Sequence, residues 1–413
     1  MPFCDTPMND RERFEAVMHY RPFDRGVIQD FQCWDETPDV WHEYGLPAEV
    51  AYANWHEFFG FDRFWDSFGC QTLLHPELET TVLADEGDTE VIRTNEGATI
   101  RRHKYASSIP VHLDHLLKDR DSWERHFKWR LDPARPDRLW PDMQERFRQH
   151  CHRDYPLSIG AGSMFGMLRN WMGLEGVSYI QYDDPALFAE MIQTIGHCIV
   201  GTLERVLSEA DRAGVTYDLA NMWEDMTFAQ GPLLSVEKFK EHLVPHYRRI
   251  TALLREHGVD LVMLDSDGDV SLLLPHWLEA GVNVIFPLEV GTWGTDPLKV
   301  RRQYGQALRI CGGFDKHILA RGQNEITREI ERLAPLVEEG GFIPFCDHRV
   351  PPDVSPENYV HYVRKAKEVW GRGLASLRPT GELSRLAPRF GQPYDFQAVF
   401  ASRATPFSEH SSD

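Results

Sequence analysis

The chain has 413 residues, of which 42% are hydrophobic and 26% are charged. This composition is typical of a globular protein with a sizeable core rather than of a disordered chain. Lys and Arg number 44 against 64 Asp and Glu, so the formal net charge is -20. Because such a surface repels polyanions, nucleic acid is a poor candidate for a partner.

The cysteines and the first residues indicate the compartment. Seven cysteines are scattered singly, without the close pairs of a zinc knuckle, a redox dithiol or a secreted disulfide framework. The start, MPFCDTPMNDRERFEAV, becomes charged before an apolar signal region forms, and no uncharged stretch reaches the roughly 18 residues of a membrane span. We therefore expect a cytoplasmic protein that is neither exported nor inserted in a membrane.

Short apolar runs rich in β-branched residues alternate with long amphipathic helices from about residue 155 onward, which is the pattern of parallel strands. These runs are PLSIGAG (156–162), VTYDLAN (215–221), DLVML (260–264), VNVIF (282–286), ALRICGG (307–313) and GFIPF (341–345). Two upstream runs, RGVIQDFQ (25–32) and FDRFWDS (61–67), bring the predicted strands to eight. The sequence thus predicts an α/β fold, a closed (β/α)8 TIM barrel, with an open doubly wound sheet as the alternative.

Capping residues mark three of the helices. Helices are predicted over 184–214, 235–258 and 355–371, each opened by Asp or Ser. The second is expected to bend at Pro245, because proline lacks the N–H that an interior helical turn needs.

Two segments interrupt this pattern. Residues 71–103 alternate in polarity between acidic turns, which predicts an inserted antiparallel β-meander that we interpret as a lid. Residues 376–413 are rich in Pro, Ser and Arg and are interpreted as a C-terminal arm or tail. The barrel domain is therefore assigned to residues 1–375.

The loops that follow parallel barrel strands open on one rim, where the chemistry of such folds gathers. The polar residues that follow five of the predicted strands are Glu224, Asp225, Asp265, Asp267, Asp269, Glu289, Asp315, Lys316, His317, Asp347, His348 and Arg349. Two like charges ~4 Å apart repel by about 4 kcal/mol at an effective dielectric constant of about 20. A cluster of this kind must take up protons, recruit Lys and Arg, or hold a cation.

Asp265, Asp267 and His348 form the predicted metal site. Two aspartates at alternate positions of an extended segment point the same way, Gly268 permits a sharp turn behind them, and His348 would complete a mixed oxygen and nitrogen ligand set. The alternative is an ordinary turn in which each aspartate accepts a backbone N–H, with His348 an ion-paired loop residue.

Five segments together resemble the uroporphyrinogen decarboxylase superfamily. They are MNDRERFEAVMHYRPFDR, WEDMTFAQGPLLSVEKFKEHLVPHYRRI, LDSDGD, ICGGFDKHILARG and EEGGFIPFCDHRVPPDVSPENY, and they cover most of residues 8–370. The resemblance implies a (β/α)8 barrel and one of two chemistries. One branch decarboxylates the acetate arms of uroporphyrinogen without a cofactor, and the other comprises zinc-dependent methyltransferases that act with corrinoid proteins or thiols.

The residues favour the methyltransferase branch. The decarboxylase branch has an arginine-rich loop resembling RQAGR after its first strand, whereas this chain has QDFQCWDET there, and an acidic mouth repels an octa-anionic substrate. The methyltransferase branch has a His-x-Cys pair and a later Cys, which correspond here to Asp265, Asp267 and His348. These harder ligands suit Zn²⁺ first, or Mn²⁺ or Fe²⁺, and an oxygen compound rather than a thiol.

The leading hypothesis is a metal-assisted methyltransferase or demethylase for a small oxygen- or nitrogen-bearing metabolite, with a corrinoid protein as methyl partner and a homodimeric assembly implied by the resemblance. Its candidate catalytic residues are Glu224, Asp225 and Asp267, and its candidate substrate-binding residues are Trp34, Trp223, Glu289, Lys316 and Arg349.

Three alternatives stay open. A cofactor-free decarboxylase would bind a carboxylate through Lys316, Arg349 or Arg169. A glycoside hydrolase would use two carboxylates that face each other across the mouth. A non-catalytic protein would hold a cationic ligand beside Trp223.

Overall fold

The computed structural model describes residues 3–104, 110–228, 231–291 and 293–372. Their strands are β1 (Asp66–Ser67), β2 (Thr81–Glu86), β3 (Thr89–Arg93), β4 (Ala98–His103), β5 (Val111–His115), β6 (Leu157–Gly160), β7 (Leu219–Trp223), β8 (Thr227–Phe228), β9 (Gly231–Pro232), β10 (Val262–Asp265), β11 (Val284–Leu288), β12 (Arg309–Phe314) and β13 (Phe342–Cys346). The predicted tail at 376–413 lies outside the described residues.

Helices cover most of the segments between the strands of the main sheet. The α-helices are α1 (Asp10–Met18), α2 (Thr37–His42), α3 (Trp55–Phe59), α4 (Arg120–Ser122), α5 (Met143–Arg148), α6 (Phe165–Asp183), α7 (Pro185–Ala213), α8 (Val236–Lys238), α9 (Val244–Glu256), α10 (Leu274–Glu279), α11 (Pro297–Tyr304), α12 (Gln323–Glu339) and α13 (Pro356–Val369). Single turns of 3₁₀ or π helix cover Tyr52–Asn54, Trp123–Phe127, Lys128–Leu131, Pro136–Arg138, Phe239–Leu243, Gly305–Ala307 and Lys316–Ala320.

Seven strands form one parallel sheet in the order β1, β6, β7, β10, β11, β12, β13. Spatial order equals chain order, so the connections advance in one direction and the sheet curls as in a TIM barrel. The six predicted runs from residue 156 onward are confirmed as these strands. The run at 61–67 contributes only Asp66–Ser67.

The predicted strand at 25–32 is wrong as a regular strand. A carboxylate takes the place of a strand partner, because Asp62 accepts the N–H of Ile28 at 2.8 Å. Further along, Gln32 has φ 87°, which no regular strand accommodates. The segment nevertheless reaches the far edge of the sheet, since Val350 N–H donates to Gln32 O at 3.0 Å.

The inserted antiparallel sheet is confirmed with different bounds. It has the order β2, β3, β4, β5 and runs from residue 81 to residue 115. The predicted first strand at 71–75 is wrong, because the consecutive Leu73 and Leu74 are both buried in the main core rather than alternating. Strands β4 and β5 contact α6, the helix that follows β6. The lid interpretation stays a prediction.

The capping signals place the helices correctly. Asp184 accepts the N–H of Leu187 and Gly214 ends α7 with φ 70°. The expected bend near Pro245 takes the form of a π turn over Phe239–Leu243, which α9 follows. This turn accommodates the residue that cannot donate within a helix.

Helix α7 is long and apolar enough to cross a membrane by length and composition, but 56% of its most apolar window is buried inside the molecule. Its buried residues, such as Ile195 and Ile199, belong to the large core between the helices and the sheet. This burial is what a core helix requires.

Two separate apolar cores lie on the two faces of the curled sheet. Along β10 and the residue before it, Leu261 and Met263 belong to the inner core, whereas Val262 and Leu264 belong to the outer one. Because side chains alternate along a strand, Asp265 falls on the inner face at the carboxyl end. The sheet therefore directs this carboxyl group to its inner face at the rim.

Candidate active site

Asp225, Asp265, Asp267, Glu289 and His348 cluster at the carboxyl ends of the strands, in a region that we call the mouth. Burial, with Asp267 and Asp225 nearby, raises the pKa of Asp265 to about 8. Burial, with Asp225 and Glu289 nearby, raises the pKa of Asp267 to about 7. The cluster thus relieves its charge by taking up protons, which is one of the three solutions open to it.

Asp225 fixes the acidic loop through its backbone. One carboxylate oxygen accepts the N–H of Asp267 at 3.0 Å, and the other lies 3.0 Å from Nη2 of Arg169. The Arg169 guanidinium is in turn 5.3 Å from the centre of the Trp223 ring. Asp225 is therefore an ion-paired neighbour of Asp265 and Asp267, the two aspartates whose pKa values are raised.

Glu289 holds the same loop from the other side. Its Oε2 accepts the N–H of Gly268 at 2.7 Å and also the indole N–H of Trp293. Gly268 has φ 90°, and a Cβ there would lie 2.7 Å from the carbonyl oxygen of Thr227. Only glycine fits this position without displacing backbone.

Glu224 lies apart from the mouth, although it precedes Asp225 in the chain. It is fully buried. Its carboxylate accepts the N–H groups of Met164 at 2.8 Å and Gly166 at 3.0 Å, and the hydroxyl of Tyr247 at 2.8 Å. These contacts give it a structural position at the start of α6.

His348 lies beside the acids and is neutral. Its Nε2 is 3.9 Å from a carboxylate oxygen of Asp267. Burial, with Lys316 and Arg349 nearby, lowers the pKa of His348 to about 4. Its ring packs near Trp34 with centroids 5.9 Å apart.

Comparison with known proteins identifies the family. The family model described as Uroporphyrinogen decarboxylase (URO-D) matches residues 140–369, more than half of the chain. The chain belongs to this family. The predicted resemblance is confirmed, and the URO-D superfamily consists of enzymes, decarboxylases or methyltransferases.

One curated relative and one solved structure extend the comparison. A uroporphyrinogen decarboxylase of Syntrophotalea carbinolica is 24% identical over 200 residues, which are 48% of this chain and 51% of that protein. The chain thus matches about half the length of this curated relative. A solved methyltransferase from Methanosarcina mazei superposes with a TM-score of 0.53 at 14% identity, covering 88% of this chain and 99% of the other. This likeness shows the fold.

The side chains at the mouth do not assemble as a metal-ligand set. Among the described residues, no group of three or more His, Cys, Asp and Glu side chains is placed to hold a metal ion. Asp265, Asp267 and His348 border one mouth, but the ring of His348 is held between apolar neighbours and its Nδ1 is buried without a hydrogen-bond partner in the described structure. A ligating histidine normally donates that second nitrogen to a fixed acceptor. The predicted metal stays a prediction.

Sequence reasoning assigned no role to Asp347, which organises the rim of this URO-D family member. Its two oxygens accept N–H groups from Val290 at 2.9 Å, Gly291 at 2.9 Å and Lys316 at 3.0 Å. It is 2% exposed, so these hydrogen bonds are shielded from water. The sequence signal for this role was an acid at the end of a strand, followed by His-Arg. The direction of its side chain depends on the register of that strand in the sheet, which the sequence does not give.

Proposed function

We propose that the chain is a methyltransferase that demethylates a small heteroatom-bearing substrate, with Asp265 as the proton donor to the leaving heteroatom. One observation carries the proposal: the Asp265 carboxyl lies on the inner face at the end of β10 and makes no side-chain hydrogen bond within the described residues. Its raised pKa, about 8, keeps the proton available at neutral pH.

Methyl transfer from the substrate requires one proton donor. The electron pair of a methyl acceptor forms the new bond to the methyl carbon as the carbon–oxygen or carbon–nitrogen bond breaks. The leaving heteroatom keeps that bond's electron pair and takes the proton of Asp265. Asp267, with a pKa raised to about 7, adjoins it and can return a proton from solvent. General acid catalysis of this kind contributes about 10²- to 10⁴-fold.

A corrinoid protein as methyl acceptor and a homodimer remain part of the proposal from the superfamily resemblance, whereas the divalent metal takes no part in the proposed step. Support for the methyl-transfer class comes from the fold shared with the methyltransferase from Methanosarcina mazei. Support against uroporphyrinogen comes from the segment QDFQCWDET (29–37), which lacks arginine.

The test is Asp265→Asn, with Asp269→Asn as the matched control in the same loop. Product formation from a series of aryl methyl ethers is measured with a supplied methyl acceptor. We expect Asp265→Asn to lose about 10²-fold or more, and the loss to grow as the leaving phenol becomes less acidic. Asp269→Asn keeps wild-type rates. An equal loss for every leaving group would show that Asp265 is not the acid.

A decarboxylase is the second candidate, because the side chains of two cations, Lys316 and Arg349, lack an ion-pair partner within the described part of the chain and would suit a substrate carboxylate. Release of labelled carbon dioxide from carboxyl-labelled pyrrole acetates, without methyl transfer from any ether, would favour it.

A further inference from the structure

Two cations at the mouth are unpaired, although the chain carries a net charge of -20. Across 3–104, 110–228, 231–291 and 293–372, neither Lys316 nor Arg349 makes an ion pair or a side-chain hydrogen bond. Other basic residues near the rim are paired, such as Arg169 with Asp225. A partly buried cation that the fold leaves unpaired is available to an anionic ligand.

The fold places these two cations side by side. Strands β12 and β13 are neighbours, with Phe314 opposite Cys346. Lys316 follows the first strand by two residues and Arg349 follows the second by three. Asp347 accepts the backbone N–H of Lys316, so a single carboxylate ties the two loops together. The two cations therefore rise from adjacent, anchored loops.

Both cations act electrostatically on acids of the mouth. The charge of Arg349 lowers the pKa of Asp265, and the charge of Lys316 lowers that of Asp267, although burial outweighs both effects. The guanidinium of Arg349 is also 5.9 Å from the centre of the Trp34 ring.

Aromatic rings lie beside His348 and Arg349. Phe31 lies 5.6 Å from the ring of His348, and Trp34 lies 5.9 Å from it. Tyr52 is 5.8 Å from the guanidinium of Arg349. Aromatic rings of this kind favour a flat apolar ligand, and the two cations favour an anionic group on that ligand.

We propose that Lys316 and Arg349 form an anion subsite and that the substrate is an aromatic methyl ether or methylamine with a single carboxylate. This inference rests on the proposed demethylation, because it names the substrate class of that site. A planar carboxylate matches the fork of an arginine. A doubly charged phosphate is disfavoured by the carboxyl groups that border the same mouth.

The test measures binding rather than turnover. The probes are benzoate, phenylacetate and the 3- and 4-methoxybenzoates, each paired with its uncharged amide, titrated calorimetrically into the full chain. In the wild type, at least one carboxylate binds about tenfold or more tightly than its amide. Arg349→Gln and Lys316→Gln each reduce that ratio, and the double variant brings it to about one, while amide binding stays within about twofold.

The matched control is Arg321→Gln, which removes an equal charge from the same loop at a side chain that is 60% exposed and lies 3.8 Å from Asp315. It keeps the wild-type ratio. Melting curves establish that each variant is folded. Equal binding of acid and amide throughout the panel, or a preference that survives the double variant, overturns the subsite.

The two proposals fail separately. A carboxylate preference that depends on Arg349, without methyl transfer to any acceptor, leaves the subsite in place and removes the demethylase. Demethylation of neutral ethers, without any preference for the carboxylates, leaves the demethylase in place and removes the subsite.

Discussion

Asp30 is a buried acid outside the mouth. It is 1% exposed, and the hydroxyl of Tyr359 donates to one of its oxygens, while the other lacks a partner in the described structure. Burial raises the pKa of Asp30 to about 7. The folded protein therefore holds a proton that the unfolded chain releases near pH 4.

Asp30→Asn should change how stability depends on pH. The protonated form of Asp30 stabilises the fold fully below about pH 4, and this contribution is lost as pH rises through about 7. The free energy of unfolding of the variant should gain on the wild type by about 4 kcal/mol between pH 4 and pH 8. Urea titrations across this range measure the difference. Asp39→Asn, at an exposed position, is the control, and parallel pH curves for Asp30→Asn and the wild type would refute the expectation.

The direction of a single side chain could be predicted where one alternation decided it. Asp265 continues the alternation of β10, so its inward direction follows from the strand pattern. Glu224 and Asp225 are adjacent, and the sequence cannot say which faces the mouth, because that depends on how far β7 extends. The structure directs Glu224 to the start of α6 and Asp225 to Asp267.

At the scale of the elements, Asp347 connects three rim loops by hydrogen bonds that only an acceptor can make. Because all three partners are N–H groups, an amide at this position would point one donor at another donor. The loops that carry Glu289, Lys316 and His348 thus depend on a charge that itself contacts no ligand.

Asp347→Asn should destabilise the protein by about 1.5 to 3 kcal/mol, since it removes at least one buried hydrogen bond to a charged acceptor. It should also speed amide hydrogen exchange in peptides that contain Lys316. Exchange mass spectrometry measures this, with the exposed Glu357→Gln as control. Unchanged exchange around Lys316 would contradict the assigned role.

Helices were predictable because their caps are local. Asp184 and Ser235 accept the N–H groups that their spacing anticipated. The strand predicted at 71–75 is wrong, because the apolar residues of this segment are buried by contacts distant in sequence. One such contact joins Cys198 Sγ to the carbonyl of Thr72. Local alternation carries no information about such packing.

At the scale of the whole molecule, Asp62 anchors the irregular segment at 25–32 beside the sheet. It accepts hydrogen bonds from both terminal nitrogens of Arg25 and from the N–H of Ile28, and Arg13 lies 3.6 Å away. Asp62→Ala would leave Arg25 buried without its anion.

Such a loss costs about 3 to 5 kcal/mol, because an uncompensated charge remains in the interior. The surface pair of Asp66 with Arg63 is a matched control, and Asp66→Ala should cost about 1 kcal/mol or less. Urea unfolding of both variants gives the comparison, and equal losses would remove the special role of Asp62.

Strand periodicity predicted eight parallel strands in a closed barrel, and the described residues contain seven of them in one curled sheet. It could not predict the irregular segment at 25–32, where a side-chain carboxylate substitutes for a strand neighbour. The apolar residues there have the pattern of a strand, because Val27 is buried in the inner core and Ile28 in the outer one.

The glycine at position 268 has a consequence for how this family can diversify. Its left-handed backbone and its contact with the carbonyl of Thr227 leave no space for any other amino acid. Substitution of this glycine would displace the backbone, so the turn that carries Asp265 and Asp267 keeps its shape in any folded descendant. We therefore expect new substrate specificities to arise from substitutions around Trp34 and Arg349, where side chains can change without moving the main chain.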